Sequence, residues 1–188
     1  MLNLSESFKL LKGVNIAEYK LIKSEKELDF GFPYYMKLDI AEHKTELNGV
    51  RLCRNLEEAG RNYKEMKKLG KIIVQKPVEG KEMILGIKQD EVFGRLLLIG
   101  FGGIDAEILK DISFRALPVD RDEIKKMLES LKLYPTLVSR KKYAVENFIE
   151  LVEKIAKLAE KHKIKEMDLN PVIINERDAY IVDARVSL

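Results

Sequence analysis

The sequence contains a single cysteine, Cys53, and only two histidines. One cysteine excludes a disulfide framework and a thiolate metal cluster, and two histidines are too few to indicate a histidine metal site. No apolar run approaches the roughly 20 residues that are needed to span a bilayer. The N-terminal segment "MLNLSESFKLLKGV" also lacks the apolar core and cleavage site of a signal peptide. We therefore expect a reduced, cytoplasmic protein.

An excess of charge of one sign is also absent. The 34 basic residues are interleaved with 31 acidic ones, so the net charge is only +3 and does not indicate a nucleic-acid partner. The basic run "RKKY" is short and is typical of a solvated helix start. No P-loop pattern occurs, and "GFGGIDAEILK" has Asp105 where the dinucleotide fingerprint requires glycine. Its glycines could bind an anion through backbone N–H groups, or could serve tight packing.

Many short β-rich runs and a few helices fill the chain. Hydrophobic residues make up 46% of the 188 residues, which is enough for a real interior. Asn55 with Glu58, and Asp120 with Glu123, are typical helix-capping pairs, and residues 143–161 have strong helical periodicity. Strands and hairpin-like turns surround these helices without a regular βαβ repeat. The pattern predicts an α+β fold in a single domain over residues 1–188.

The C-terminal stretch "EMDLNPVIINERDAYIVDARV" is the most informative segment. It predicts two buried strands joined by a turn at "NERD". A two-residue or a four-residue loop gives the same register, which places Asn170 opposite Asp183 and Asp168 opposite Arg185. Because side chains two apart share a face, all four polar groups should lie together at the open end of the hairpin. We expect the same face to continue with Val172, Ile174, Ala179 and Ile181.

Two interpretations of this polar cluster stay open from the residues alone. A carboxylate opposite an amide offers hard oxygen ligands that suit Mg²⁺. The ordinary alternative is a cross-strand Asp168–Arg185 ion pair, with Asn170 satisfying backbone groups. A similar choice applies to Lys37, which shares a strand face with Tyr35 and could be solvated or could contact a phosphate as a point charge.

Six segments, taken together, resemble a known family. They are "YMKLDI", "HKTELNGV", "IIVQKPV", "GKEMILGIKQDEVFGR", "GFGGIDAEILKDISFR" and "DLNPVIINERDAYIVDAR". In this order they are similar to the ATP-grasp β subunit of ADP-forming acetyl-CoA synthetases, which are relatives of succinyl-CoA synthetase. The resemblance covers nearly the whole chain. It implies an ATP-grasp fold with two α+β lobes, approximately residues 14–76 and 77–188, that clasp a nucleotide.

The resemblance also implies roles for individual residues. The nucleotide would lie with its adenine against the "VQKPV" hinge, its ribose near one glutamate and its phosphates near one lysine. A loop histidine would carry phosphate, and a carboxylate would lie near the phosphohistidine. The residues at the matching positions are Lys37, Gln75, Lys76, Val78 and Glu82 for the nucleotide, Asn170 and Asp183 for Mg²⁺, and His43 and Asp168 for the phosphohistidine chemistry.

The implied reaction is reversible: acyl-CoA, phosphate and ADP give acid, CoA and ATP through an acyl phosphate and a phosphohistidine. ATP or ADP and Mg²⁺ would be the cofactors. The family's CoA-binding and acyl-binding domains are not recognised in this sequence, so we expect a separate α-type subunit and a hetero-oligomer. The segment "LDIAEHK" is shorter than the family's loop, so a non-catalytic nucleotide-binding or regulatory subunit is the alternative. A carboxylate–amine ligase is disfavoured because "HK" and "KDISFR" resemble the synthetase branch.

Overall fold

The computed structural model describes residues 1–41, 47–103, 109–139 and 143–188. Within these ranges, the helices with described bounds are α1 (Leu4–Leu10), α2 (Leu56–Met66), α3 (Arg121–Glu129), α4 (Pro135–Val138) and α5 (Val145–Lys161), with a 3₁₀ turn at Glu25–Glu27. The strands are β1 (Tyr19–Ile22), β2 (Tyr34–Leu38), β3 (Val50–Cys53), β4 (Ile72–Gln75), β5 (Lys81–Asp90), β6 (Gly94–Phe101), β7 (Ile112–Ala116), β8 (Glu166–Ile174), β9 (Ala179–Ile181) and β10 (Arg185–Ser187). This mixture confirms the predicted α+β class.

The first four strands form an antiparallel sheet in the order β1-β4-β2-β3. Helix α2 covers one of its faces, and it begins where the Asn55 side chain accepts a hydrogen bond from the Glu58 amide at 2.9 Å, as the capping pair predicts. Buried residues of the helix and the sheet form one apolar core between them. This core includes Tyr34, Met36, Leu38, Ala59, Tyr63, Met66, Ile72 and Val74.

The remaining strands form a second sheet in the order β10-β8-β5-β6-β7, with β9 paired to β8 beyond the end of β10. Helix α5 packs on it through Phe148, Val152 and Ile155, which are fully buried and spaced as the amphipathic pattern predicts. Helix α3 begins where Asp120 accepts from the Glu123 amide at 2.8 Å. Helix α1 contributes Leu4 and Phe8 to the same large core.

The register of the C-terminal hairpin is as predicted. The set of residues on one of its faces is not. Asp168 is directly opposite Arg185, and Val172 is opposite Ile181. However, the expectation that Val172, Ile174, Ala179 and Ile181 share a face with the polar residues is wrong, since all four belong to the large core.

The physical reason is a change of alternation within β8. Along β5, Leu85 pairs with Leu169 whereas Met83 pairs with Val172, so the register shifts by one residue at this point. Leu169 and Val172 therefore both face the core, although the even alternation of an undisturbed strand would place them on opposite faces. Asp168 and Ile173 are left on the opposite side of the sheet from this core.

A buried carboxylate fastens the four-stranded sheet to α1. Asp39, just after β2, is 6% exposed. Its carboxylate accepts hydrogen bonds from the Ser5 amide at 2.7 Å and from the Ser5 hydroxyl at 2.8 Å. Since α1 packs in the large core, this contact joins the two sheets across 34 positions of sequence.

Candidate functional site

A cavity of about 270 Å³ lies between the two sheets. Strands β2 and β3 supply one wall, β8 and the residues after β9 supply another, and the connection from β4 to β5 crosses it. Six of the residues predicted for the nucleotide or Mg²⁺ line this cavity: Lys37, Lys76, Val78, Glu82, Asn170 and Asp183. The structure therefore brings together residues that are up to 146 positions apart in the sequence.

Lys37 is the buried cation of the cavity. It is 4% exposed, and its Nζ donates a hydrogen bond to the Val182 carbonyl at 2.9 Å. A lysine in the middle of a strand is usually solvated, whereas this ammonium group is held on the opposite wall of the cavity. This position suits a point charge that meets a phosphate entering between the sheets.

Asn170 and Asp183 line the same cavity from the two arms of the hairpin. The amide oxygen and the carboxylate are both hard oxygen donors, and Asn170 is exposed while Asp183 is half-buried. No cluster of three or more His, Cys, Asp or Glu side chains suited to a metal occurs in the described part of the chain. A pair of oxygen donors nevertheless fits Mg²⁺, which is commonly bound through one or two protein carboxylates together with waters and substrate phosphates.

Three further predicted residues, Gln75 at the end of β4 and Lys76 and Val78 in the connection that follows, differ in where their side chains lie. Val78 lines the cavity. Lys76 also borders it, but its Nζ donates to the Gly31 carbonyl and lies 5.2 Å from the centre of the Phe30 ring, so the ammonium group is held by the four-stranded side. Gln75 is fully buried beside the cavity. Its Nε2 donates to the Ala17 carbonyl at 3.4 Å, and its Oε1 has no partner among the described residues.

Glu82 is packed against a glycine pair. The Gly102 amide donates to the Glu82 carbonyl at 2.9 Å, and a Cβ on Gly103 would lie 3.3 Å from Glu82 Oε2. Gly103 also has a φ of +81°, which favours glycine. Close packing against Glu82 is therefore a sufficient explanation of these two glycines.

The two residues predicted for the phosphohistidine chemistry lie elsewhere. Asp168 borders a separate cavity of about 190 Å³ on the uncovered face of the second sheet, with Ile84, Leu98 and Phe114. It is paired with Gly86 of β5 on one side and with Arg185 of β10 on the other. His43 falls in residues 42–46, which are outside the described residues.

Sequence reasoning missed the apolar walls of the cavity. Tyr35, Val50 and Ile173 line it together with the polar groups. Val50 is directly opposite Lys37 in the ladder, and Tyr35 is two residues before Lys37 on the same face, so strand pairing would have identified both. Ile173 reaches the cavity only because of the register shift in β8. Apolar walls with a few convergent polar groups are typical of small-molecule sites.

Two α+β lobes with a cavity between their sheets define the ATP-grasp class of fold. The ATP-grasp domain family matches residues 1–188. A relative, the β subunit of acetate–CoA ligase (ADP-forming) I of Pyrococcus furiosus, is 34% identical over 95% of this chain and 87% of its own length. The chain therefore belongs to the ATP-grasp family, in the branch of ADP-forming acetate–CoA ligase β subunits.

Other comparisons agree with this assignment. Acetate–CoA ligase (ADP-forming) II of Archaeoglobus fulgidus is 35% identical over 90% of this chain, which spans 26% of that longer protein. Solved structures of the dinucleotide-forming acetyl-coenzyme A synthetase 1 of Ca. Korarchaeum cryptofilum superpose as well. The complex with coenzyme A and Ca-AMPCP gives a TM-score of 0.88 at 29% identity, covering 100% of this chain and 93% of that chain. The complex with coenzyme A and Mg-AMPPCP gives 0.83 at 27% identity, covering 98% and 91%.

These relationships confirm the predicted class: an ATP-grasp ligase subunit of the ADP-forming acid–CoA type, with ATP or ADP and Mg²⁺ as cofactors. Among the described residues, no helix is long and apolar enough to cross a membrane.

Proposed function

We propose that the cavity between the sheets is where this chain binds Mg-ADP or Mg-ATP, and that the chain passes phosphate between a phosphohistidine and ADP. The observation that carries this proposal is the convergence of Lys37, Asn170 and Asp183 on one cavity. A cation and two oxygen donors on facing walls are what a metal–phosphate group requires. We further propose that residues 14–76 and 77–188 act as the two clasping lobes.

The individual roles follow from the positions of the side chains. Lys37 donates from Nζ to a phosphate oxygen, and it exchanges the Val182 carbonyl for this stronger acceptor. Asn170 and Asp183 hold Mg²⁺ through their side-chain oxygens. When bound, Mg²⁺ would neutralise the negative charge on the phosphate oxygens. Gln75, Lys76 and Val78 are at the hinge where adenine would pack, and Glu82 is placed for the ribose.

Phosphate exchange needs groups beyond this cavity. We propose that His43 carries phosphate transiently as a nucleophile and that Asp168 lies near the phosphohistidine. The acyl and CoA chemistry would take place on an α-type CoA-binding subunit, in a hetero-oligomer located in the cytoplasm. This division of labour is supported by the Pyrococcus relative, which is a β subunit.

Thermal unfolding with Mg-ADP tests the nucleotide site. A ligand at 100 times its Kd should stabilise the parent chain by about 2.7 kcal/mol. Asp183→Ala should lose most of this stabilisation, because the metal loses a charged oxygen donor. Asp168→Ala is the matched control, since it removes a carboxylate from the same hairpin outside the cavity, and it should keep the stabilisation. Equal stabilisation of all three proteins would contradict the proposed metal site.

Phosphate labelling tests catalysis separately from binding. With an α-type partner, acyl-CoA and ³²P-phosphate, the parent chain should become labelled and His43→Ala should not. Unchanged labelling of His43→Ala would remove that residue from the proposal. If Mg-ADP binds but no synthetase activity appears with any α-type partner, the chain is instead the non-catalytic or regulatory nucleotide-binding subunit.

A further inference from the structure

The four-stranded lobe carries a second cavity on the side of its sheet that α2 covers. Its volume is about 640 Å³, within the range of small-molecule sites. It opens between the end of the β1–β4 pair and the C-terminal part of α2, whereas the cavity between the lobes is on the other face of this sheet. Its lining residues are Leu21, Ile22, Lys23, Tyr63, Lys67, Gly70, Lys71 and Ile72.

Three lysines from three different segments border this cavity: Lys23 after β1, Lys67 at the end of α2 and Lys71 before β4. None of the eight lining residues is acidic. In the part of the chain that the structure describes, none of the three ammonium groups forms an ion pair with a carboxylate. The Glu27 carboxylate accepts from the Lys23 amide at 3.5 Å, but it forms no ion pair with the Lys23 ammonium group. Three cations that are not ion-paired within the described residues surround one concave surface and create a field that favours an anion.

Tyr63 provides a second and independent observation. Its side chain is 4% exposed and lines the cavity, yet its hydroxyl forms no hydrogen bond with any described residue. The hydroxyl is not one of the fully buried polar atoms that lack a partner in the described residues, so it is accessible and can donate a hydrogen bond to a ligand. The phenol is therefore an accessible hydrogen-bond donor on the wall of a cationic cavity.

Helix electrostatics explain only part of this arrangement. Lys67 is the C-terminal cap of α2, where a cation interacts favourably with the helix dipole, and its Nζ lies 5.1 Å from the centre of the Tyr63 ring. Lys23 and Lys71 lie outside the helix, so this explanation does not reach them. Interaction with the helix dipole also does not explain why Leu21, Ile22 and Ile72 form an apolar wall in the same cavity.

We propose that this second cavity binds a small organic phosphate with an apolar or aromatic body. The phosphate lies among Lys23, Lys67 and Lys71 and accepts a hydrogen bond from the Tyr63 hydroxyl. The body packs on the isoleucine side chains of β1 and β4. Lysine suits phosphate as a point charge, and the apolar wall distinguishes such a ligand from inorganic phosphate. This site is separate from the nucleotide cavity and does not depend on its function.

Phenyl phosphate is the probe that matches this chemistry most simply. Titration into the ¹⁵N-labelled chain saturated with Mg-ADP should shift the amide resonances of residues 21–23 and 70–72. The same titration in Asp183→Ala without nucleotide should give the same shifts, so failure of the nucleotide site would not affect the result. Inorganic phosphate and benzyl alcohol, which each lack half of the ligand, should bind at least about tenfold more weakly.

Variants then test the named residues by isothermal titration calorimetry. The Lys67→Ala/Lys71→Ala double variant should weaken phenyl phosphate binding by at least about tenfold, and Tyr63→Phe by about fivefold. Lys64→Ala is the matched control, because Lys64 is on the same helix but pairs with Glu25 outside the cavity; it should change the Kd less than about twofold. Raising the salt concentration should weaken binding to the parent.

Three results would overturn the proposal. One is the absence of resonance shifts with phenyl phosphate up to about 10 mM, since a cationic site of this kind should be populated by then. The second is a set of shifts confined to the cavity between the lobes, which would place the anion at the nucleotide site. The third is equal affinity in the double variant and in Lys64→Ala.

Discussion

Both faces of the segment Tyr34–Asp39 contain buried residues, but these residues are held in different ways. Tyr34, Met36 and Leu38 are fully buried beneath α2. On the other face, Lys37 and Asp39 are only 4% and 6% exposed, although both carry charge. The apolar face is stabilised by non-directional packing, whereas each charged group has a hydrogen-bond partner outside the four-stranded sheet: the Val182 carbonyl for Lys37 and Ser5 for Asp39.

This contrast places core packing and a candidate site residue on opposite faces of one six-residue segment, Tyr34–Asp39. Apolar packing of Tyr34, Met36 and Leu38 against α2 stabilises the four-stranded lobe independently of the polar face. The polar face joins that lobe to the rest of the protein and supplies a cation to the cavity. Substitutions on the apolar face should therefore lower the free energy of unfolding most, whereas substitutions on the polar face should cost less stability and, at Lys37, change the response to ligand.

Truncation of the apolar face should have the largest effect on stability. Met36→Ala removes a fully buried side chain and leaves a cavity in the smaller core, so we expect a loss of about 2–5 kcal/mol in the free energy of unfolding. Urea denaturation measures this loss. Val92→Ala, at a position that is 82% exposed, is the control and should remain within about 0.5 kcal/mol of the parent. A loss below that level in Met36→Ala would contradict the packing account.

Removal of the buried carboxylate should cost less. Asp39→Ala leaves the Ser5 amide and hydroxyl without their acceptor, and we expect a loss of about 1–3 kcal/mol in the free energy of unfolding. A double-mutant cycle with Ser5→Ala isolates the contact and should give a coupling of about 0.5–3 kcal/mol. Additive single losses would show that the two side chains act independently.

Replacement of the buried lysine should leave stability nearly intact while changing ligand response. Lys37→Met keeps an unbranched side chain that is one atom shorter and removes the hydrogen bond to the Val182 carbonyl, so we expect a cost of about 1 kcal/mol. The stabilisation by Mg-ADP should fall sharply, because the phosphates lose their cation. Thermal unfolding with and without Mg-ADP measures both effects. Lys20→Met, at an exposed position in β1, is the control. Full retention of the ligand response would contradict the proposed role of Lys37.

The smallest effect concerns alkaline pH. Burial raises the pKa of the Cys53 thiol, and burial together with nearby Cys53 raises the pKa of Tyr34. Because the folded state binds these protons more tightly, their contribution to stability is complete below the ordinary pKa values, ~8.5 and ~10, and falls as the pH rises above them. Cys53→Ala should therefore flatten the decline in unfolding free energy between about pH 8.5 and 10.

Chemical denaturation at a series of pH values checks this prediction. The comparison is between slopes with pH, so any constant stability difference caused by Cys53→Ala does not interfere. Tyr34→Phe serves as the second variant, and its effect should begin above about pH 10, since tyrosine titrates later than cysteine. Superimposable profiles for the parent and Cys53→Ala would contradict the prediction.

The sequence predicts most of the elements and the register of the C-terminal hairpin, because turn chemistry and alternation are local. It also predicts that Tyr35 and Lys37 share a strand face. The reversal of faces in β8 could not be predicted, because it arises from the register shift between Met83 and Leu85 in a neighbouring strand. The orientation of Lys76 toward Gly31 could not be predicted either, because it depends on contacts between segments that are distant in the sequence. The same holds for the contact of Asp39 with Ser5.

The backbone contact between the N-terminal residues and β10 has a consequence for protein engineering. The Leu2 amide donates to the Val186 carbonyl at 2.8 Å, so residues 2 and 186 are neighbours in space. A short linker between them should permit circular permutation, with new ends opened at the exposed β5–β6 hairpin tip around Val92. The same proximity allows the whole two-lobed unit to be inserted into a host chain as a cassette without separating its lobes.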